Sequence, residues 1–450
     1  MKYILSIFAI LLLATTSYTQ KQASYTFSLE EAVNFALDSN RVAINARRDI
    51  AKAIKQKWES TAIGLPQLNG AIDYQKQIKQ PTSFIPAELF GGEPGTFQPV
   101  IFGVEQNASV VATLNQLIFD GSYLIGLQAA KTFLEFSENT QEKTQLEVRK
   151  GVINAYGGVL IATESTSILD RNLATLKKNL YETKVIVANG LAEAEDAEQL
   201  ELTYKQLENQ RENAQRIKNI ALQMFNNALG LDINTQTTLS QSLEDLAIPA
   251  VELLSNNLQI SNNVDWKIAT NLTQQRALEL KLEKSRALPS LVGFVTFGTA
   301  TGQDEFNFFN TDTRWFAQSI AGASLQVPLF SSGQRNANTA KARIALQQAT
   351  TDLEETTQQI KLQLATAKNN HQFAINTLQN RKENLALAER IENKNRIKFK
   401  EGIGSSFDLR QAQTQLYTIQ QEVLQSMLDI VTTKATLETI LNTPNYRGKN

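Results

Sequence analysis

Apolar positions along this chain follow two periods. Over residues 334–400, Leu346, Leu353, Ile360, Ala367 and Ala374 recur every seven residues, and Leu364, His371, Leu378 and Leu385 form a companion row four residues on. These are the a and d positions of a heptad seam. The alanines and interspersed polar residues predict close, thin packing, with His371 as a packed seam residue rather than a ligand. A second run, 122–189, is equally rich in Gln, Glu, Lys, Ala and Leu, all good helix formers. No proline occurs between Val100 and Ile248 or between Leu329 and Thr443. Long helices are therefore permitted, each extending ~100 Å at 1.5 Å per residue. Each run is followed, after a glycine, by another helical run (192–229 and 406–441), predicted to return antiparallel.

The other period is two. In 67–75, Leu68, Ile72 and Tyr74 alternate with Gln67, Asn69, Asp73 and Gln75. In 104–118, Val104, Ala108, Val110, Ala112, Leu114 and Ile118 oppose Glu105, Asn107, Ser109, Thr113 and Asn115. A strand with one apolar and one polar face suits a position between lipid and an aqueous lumen. Segments 291–298 and 315–327 form a second, less regular pair. Aromatic residues crowd the connecting loops: Phe84, Phe90, Phe97 and Phe102 in the first, then Phe306, Phe308, Phe309 and Trp315 in the second. An interfacial girdle at a lipid bilayer accounts for them. Hairpin packing in a soluble sheet is the alternative.

The order of these elements is duplicated. Leu65-Pro66-Gln67-Leu68 matches Leu288-Pro289-Ser290-Leu291, and Asn40 matches Asn263, at one offset of 223. Beyond the hairpins the offset is 212, pairing Gly121 with Gly333, Gly190 with Gly402, Asp196 with Asp408 and Leu229 with Leu441. The difference is absorbed by a longer loop at 80–99. The expected organisation is a first repeat at 20–232, a polar connector at 233–262, a second repeat at 263–443 and a tail at 444–450. Four strands per chain are too few to close a barrel, so strands lying in lipid require several chains.

Composition narrows the chemistry. The chain of 450 residues has a formal charge of −1 with both signs interspersed, and no nucleic-acid partner is expected. It holds no cysteine and one histidine, which removes disulfides, thiolate sites and an acylated N-terminal cysteine. Nothing pairs a nucleophile with a base and an orienting group, and there is no phosphate-binding loop. No enzyme activity, cofactor or metal site is expected. Residues 1–19 read as a secretory signal: Lys2 supplies the charge, 4–13 the apolar stretch, and Ser17 and Thr19 are spaced for cleavage before Gln20. This ten-residue stretch is too short for a spanning helix.

One stretch is more specific. Phe399-Lys400-Glu401-Gly402-Ile403-Gly404-Ser405-Ser406-Phe407-Asp408-Leu409-Arg410-Gln411-Ala412-Gln413-Thr414-Gln415-Leu416-Tyr417 resembles the helical-tip signature of TolC-like outer-membrane efflux proteins. So does its partner Ala188-Asn189-Gly190-Leu191-Ala192-Glu193-Ala194-Glu195-Asp196-Ala197-Glu198-Gln199. The opening Ser28-Leu29-Glu30-Glu31-Ala32, the two Leu-Pro-x-Leu motifs and the Phe330-to-Gly333 spacing are similar to the family as well. Together these cover nearly all of residues 25–443. The resemblance implies a mainly helical fold with a membrane β-barrel portion: a homotrimer with a 12-stranded barrel, four strands per chain, continued by an α-helical coiled-coil tunnel into the periplasm. It implies an exit duct for efflux or type I secretion, partnered by a periplasmic adaptor and an inner-membrane pump. Asp408 and its mate Asp196 match the constriction, where the family's second acidic position is Gln411. Gly404 stands where some members carry arginine. Gly190, Leu191, Gly402, Ile403, Gly404 and Ser405 match the adaptor-docking tips, and all three glycines are expected to reverse helices through positive φ. The reading from another class is an exported, soluble coiled-coil scaffold or adhesion protein without a pore.

Overall fold

The computed structural model describes residues 24–255 and 259–443; the expected signal segment and C-terminal tail lie outside the described residues. The chain opens with β1 (Ser24–Phe27), α1 (Leu29–Ser39), α2 (Arg41–Ala62) and β2 (Gln67–Lys76). A hairpin of β3 (Thr82–Pro86) and β4 (Phe97–Ile101) leads to β5 (Gln106–Asp120), α3 (Gly121–Ala188) and α4 (Ala194–Leu229). Next come β6 (Gln236–Leu239) and the single-turn helices α5 (Leu243–Leu246) and α6 (Glu252–Ser255). The order ends with α7 (Val264–Ser285), β7 (Ser290–Gln303), β8 (Phe316–Gln326), α8 (Gln334–Lys400) and α9 (Ser406–Leu441). The chain is mainly helical, and no described helix is long and apolar enough to cross a membrane.

Local chemistry sets most boundaries. Ser28 caps α1 in a reciprocal box: its hydroxyl accepts from the Glu31 N–H at 3.3 Å, and the Glu31 carboxylate accepts from the Ser28 N–H at 2.8 Å. These bonds hold the Glu31 carboxyl below its usual range. Pro66 and Pro289 each stand one residue before a strand. A proline offers no N–H and drives the preceding residue out of the helical region, so the chain leaves α2 and α7 already extended.

Two compact units emerge. One takes in the described residues of Met1–Asp49, Asn139–Lys267 and Glu355–Asn450; the other is Ile50–Glu138 with Ile268–Glu354. In the first, β1 pairs in parallel with β6, from Ser24 opposite Gln236 to Phe27 opposite Leu239. This pair lies on a core that includes Phe27, Ala36, Tyr156, Phe225, Leu229 and Val431. The buried Tyr156 hydroxyl donates to the Phe27 carbonyl at 3.0 Å, and its ring meets Phe225 edge-on at 5.7 Å. Burial pushes the Tyr156 hydroxyl pKa up. The segment 233–262, expected as a polar connector, contains β6, α5 and α6. Asn40 and Asn263 make the same bond twice: each donates its side-chain amide to the end of a return helix, to the carbonyls of Ala228 (2.7 Å) and Ile440 (2.9 Å).

The heptad seam is present in this unit. Ile360, Ala367, His371, Ala374 and Leu378 of α8 are buried, and Leu364 and Leu385 are half-buried. They face α9 through Ile430, Leu437 and Leu441. His371 is fully buried, with Nδ1 2.9 Å from the Thr433 hydroxyl. Burial holds the imidazole below its ordinary value; Lys434 adds to this, while Glu252, Glu438 and the Ala250 carbonyl oppose it. The unfolded chain therefore takes up more protons below about pH 6.5. The stability contributed by neutral His371 is complete above that pH and is lost as pH falls towards the depressed folded value. The thermal midpoint of the wild type is expected to fall more steeply from pH 7 to pH 5 than that of His371→Leu. Equal slopes would remove His371 as the cause.

In the second unit, β2, β5, β7 and β8 form one antiparallel sheet in that order. The β3–β4 hairpin is a separate two-stranded sheet inside the segment expected as a loop. Its prolines, Pro86 and Pro99, lie in a two-stranded ribbon where each strand has a free edge.

Candidate functional site: a two-faced open sheet and the helical tips

The register sorts the side chains of β2 and β5 by face, and those of β7 and β8 only in part, since Phe294 and Ile320 share the face of Asn115 and Thr296. Leu68 lies opposite Leu114, and Leu114 opposite Val295; Ile72 lies opposite Val110, and Ala112 opposite Phe297. The next residues along each strand point the other way. There Asn69, Asp73 and Gln75 of β2 align with Thr113, Ser109 and Asn107 of β5. The Thr113 and Thr296 hydroxyls sit 3.2 Å apart on this polar face. The apolar face is uncovered: Leu68 is 72% and Ile72 is 82% exposed. Among the described residues β2 and β8 each have one strand neighbour, and every residue in both is exposed. Each edge presents a row of unpaired N–H and C=O groups.

Beyond the strands, the Glu105 N–H and the Gln106 side chain bond to Asp304, both at 3.1 Å, and the Tyr74 hydroxyl donates to Gln106 at 2.8 Å. Phe306 and Phe308 meet Tyr74 edge-on at 5.6 and 5.7 Å. Phe308 differs from the other aromatic residues of the two loops in its burial. Only 5% exposed, it is the core of this aromatic cluster. Phe84, Phe90, Phe97, Phe102, Phe306 and Phe309 are exposed, and Trp315 is half-buried.

At the tips, α3 and α8 end on the same cap. Gly190 and Gly402 have φ of 71° and 72°. Leu191 N–H reaches back to the Ile186 carbonyl at 3.1 Å, and Ile403 N–H to the Lys398 carbonyl at 3.0 Å. This is the six-residue closure of a Schellman cap. It leaves Leu191 80% and Ile403 77% exposed at the turns. Gly404 differs from the expectation of a positive φ. A Cβ there would lie 2.9 Å from the Lys398 Cβ and 3.0 Å from the Phe399 backbone nitrogen, so glycine is required for close approach instead.

The two acidic residues matched by the duplication have different surroundings. Asp408 is exposed in the first turn of α9; its N–H donates to the Ser405 hydroxyl (3.1 Å), and that hydroxyl lies 2.8 Å from its carboxylate. Gln411, one turn on, is exposed as well. Asp196 is half-buried and accepts a hydrogen bond from Ser406. Arg410 donates to Gln199 at 2.6 Å and lies over the Phe407 ring at 5.4 Å. These two bonds tie the start of α4 to the start of α9. Ser406, Arg410 and Gln199 were not singled out from the sequence, because their partners lie more than two hundred residues away. Among the described residues no group of three His, Asp or Glu side chains is placed to hold a metal ion.

Residues 253–443 match the outer membrane efflux protein family. The matched segment includes β7, β8, α8, α9 and the Asp408 tip; β2, β5 and the Asp196 tip precede it. Solved structures extend the likeness to nearly the whole chain. The outer membrane protein VceC from Vibrio cholerae superposes with a TM-score of 0.72 at 14% identity, over 92% of this chain and 95% of that one. The CmeC outer membrane channel of Campylobacter jejuni gives 0.72 at 15% identity, over 94% and 89%. CusC, described in terms of folding and transmembrane channel formation, gives 0.73 at 17% identity, over 92% of each. At these identities the shared property is the fold. No curated protein sequence matches the chain.

Proposed function

We propose that this chain is one subunit of an outer-membrane channel-tunnel, a passive exit duct rather than an enzyme. The observation that carries the reading is the open, two-faced sheet. Its bare apolar face suits lipid and its polar face suits an aqueous lumen. Its unpaired β2 and β8 edges cannot remain open in hydrocarbon, so they must pair with other copies. Three copies give the 12-stranded barrel of the family. The repeated Asn40 and Asn263 bonds support an origin by duplication, with repeats at 20–232 and 263–443 joined by 233–262. The tunnel would reach into the periplasm of an efflux or type I secretion system, where a separate inner-membrane pump supplies the energy.

In this reading the exposed turns at Gly190, Leu191, Gly402, Ile403, Gly404 and Ser405 dock the periplasmic adaptor. Asp408 projects into the constriction with Gln411 one turn on, and a three-fold axis gathers its carboxylates into a cation-attracting ring. Asp196 serves the tip differently, as the acceptor that holds Ser406. The exposed aromatics of the two loops line the membrane interface.

Single-channel recording of the purified protein in planar bilayers tests this. Small, cation-preferring currents are expected, with the preference weakened and the conductance raised in Asp408→Ala. Conductance that ignores the substitution would take Asp408 out of the aperture. A protein that stays soluble, monomeric and silent would sink the channel reading in favour of an exported scaffold.

A further inference from the structure

Charge is segregated between the two ends of the four-stranded sheet. At the loop end, residues 76–106 and 304–315 hold three basic and six acidic side chains. At the helix end, the last turns of α2 and α7 (52–62 and 276–286) hold seven basic and three acidic side chains. With an overall charge of −1, this polarity is not a matter of bulk composition.

Pairing sharpens the contrast. Arg276 and Arg286 are neutralised by Glu279 at 2.8 Å and Glu283 at 3.4 Å. Lys52, Lys55, Lys57, Lys281 and Lys284 are exposed and form no ion pair among the described residues. Lys284 also complements the negative end of α7, but Lys52 and Lys55 lie before the last turn of α2 and gain little from its dipole. Beside them Trp58 is 61% exposed, an amphipathic ring of the kind that settles at a membrane interface. Lys57 lies about 8 Å, and Lys52 about 15 Å, from the end of α2 at 1.5 Å per residue. The headgroup layer on each side of a bilayer is roughly 5–8 Å thick, and a lysine reaches several ångströms beyond its backbone.

Resting on the reading that the sheet spans the membrane, we infer that the basic ends of α2 and α7 bind the phosphates of anionic phospholipids in the periplasmic leaflet. Lys55, Lys57, Lys281 and Lys284 are the recognition residues, Lys52 extends the positive field behind them, and Trp58 is the depth marker. The acidic loops at the opposite end would disfavour the reverse insertion, so the same collar sets the sense in which the sheet sits.

The full mature protein, wild type or with Lys52→Gln, Lys55→Gln, Lys57→Gln, Lys281→Gln and Lys284→Gln combined, is reconstituted into phosphatidylcholine vesicles with or without phosphatidylglycerol. Flotation reads insertion, and native mass spectrometry reads the ratio of retained phosphatidylglycerol to phosphatidylcholine. The wild type is expected to prefer phosphatidylglycerol by roughly tenfold or more at low salt, with the preference shrinking as salt is added. The variant should insert equally into phosphatidylcholine and lose the preference. An unaltered preference in the variant, no preference in the wild type, or complete displacement by inorganic phosphate would each overturn the collar while leaving the channel intact. Failure of the wild type to float with either vesicle would overturn the channel reading and the collar with it. The salt dependence of the wild type alone keeps the test decisive if the variant assembles poorly.

Discussion

Lys267→Met is expected to destabilise the protein by about 3–5 kcal/mol, the cost of leaving a buried carboxylate without its cation. The Glu142 side chain is 3% exposed and that of Lys267 18%. The ammonium reaches both carboxylate oxygens, at 3.0 and 3.3 Å, and the Asn442 amide donates to one of them at 2.8 Å. Removing the lysine leaves one neutral donor on a charge with almost no access to water. Adding Glu142→Gln should recover most of the loss, because the amide carries no charge and still accepts from Asn442. The neighbouring Lys143–Asp265 pair, 2.8 Å apart, provides the internal comparison. Its side chains are 42% and 39% exposed, so Lys143→Met should cost no more than about 1 kcal/mol. Denaturant midpoints of the four proteins check this. A Lys267→Met loss no larger than that of Lys143→Met would show that water reaches Glu142.

Gly230→Ala is expected to cost about 2–4 kcal/mol, by two mechanisms acting at once. Gly230 ends α4 with φ of 83°, a conformation that side chains disfavour. A Cβ there would also lie 2.3 Å from the Ser39 carbonyl oxygen and 3.0 Å from the Asn40 Cα, against backbone that Asn40 pins to the end of α4. The corresponding cap of α9 is Asn442 at φ 52°, so the conformation alone does not demand glycine. Gly230→Asn separates the mechanisms: asparagine tolerates the left-handed region but brings the same Cβ. It should remain strongly destabilised. Gly190→Ala meets the conformational cost in open space and should lose only about 1 kcal/mol. Thermal melts in detergent check the order. A Gly230→Asn protein as stable as wild type would remove the steric argument.

The sequence determined the long helices and the strands that precede them, because local rules govern both. Composition and the lack of proline predicted 334–400, with heptad rows over 346–385 in support, and α8 runs Gln334–Lys400; the alternation at 67–75 predicted β2, which extends one residue further. Helix interiors exclude proline, capping needs a residue within three positions, and a period of seven or two is visible inside one segment. The tip glycines were legible for the same reason.

Tertiary structure decided what depends on residues distant along the chain. β1 and β6 are four residues each, too short for alternation to show, and they pair because Phe27 must be buried beside Tyr156 and Phe225. Alternation gave β2 and β5 two faces but could not choose β7 as the partner of β5. Phe308 looked like its exposed neighbours until the loop folded over Tyr74. Asp196 and Asp408 are equivalent by sequence, yet one is taken up by Ser406 and the other is left exposed. Gly404 carries no positive φ and is glycine because the backbone of the preceding turn passes within contact of it. In each case the deciding neighbour is supplied by packing, and a single segment read alone does not contain it.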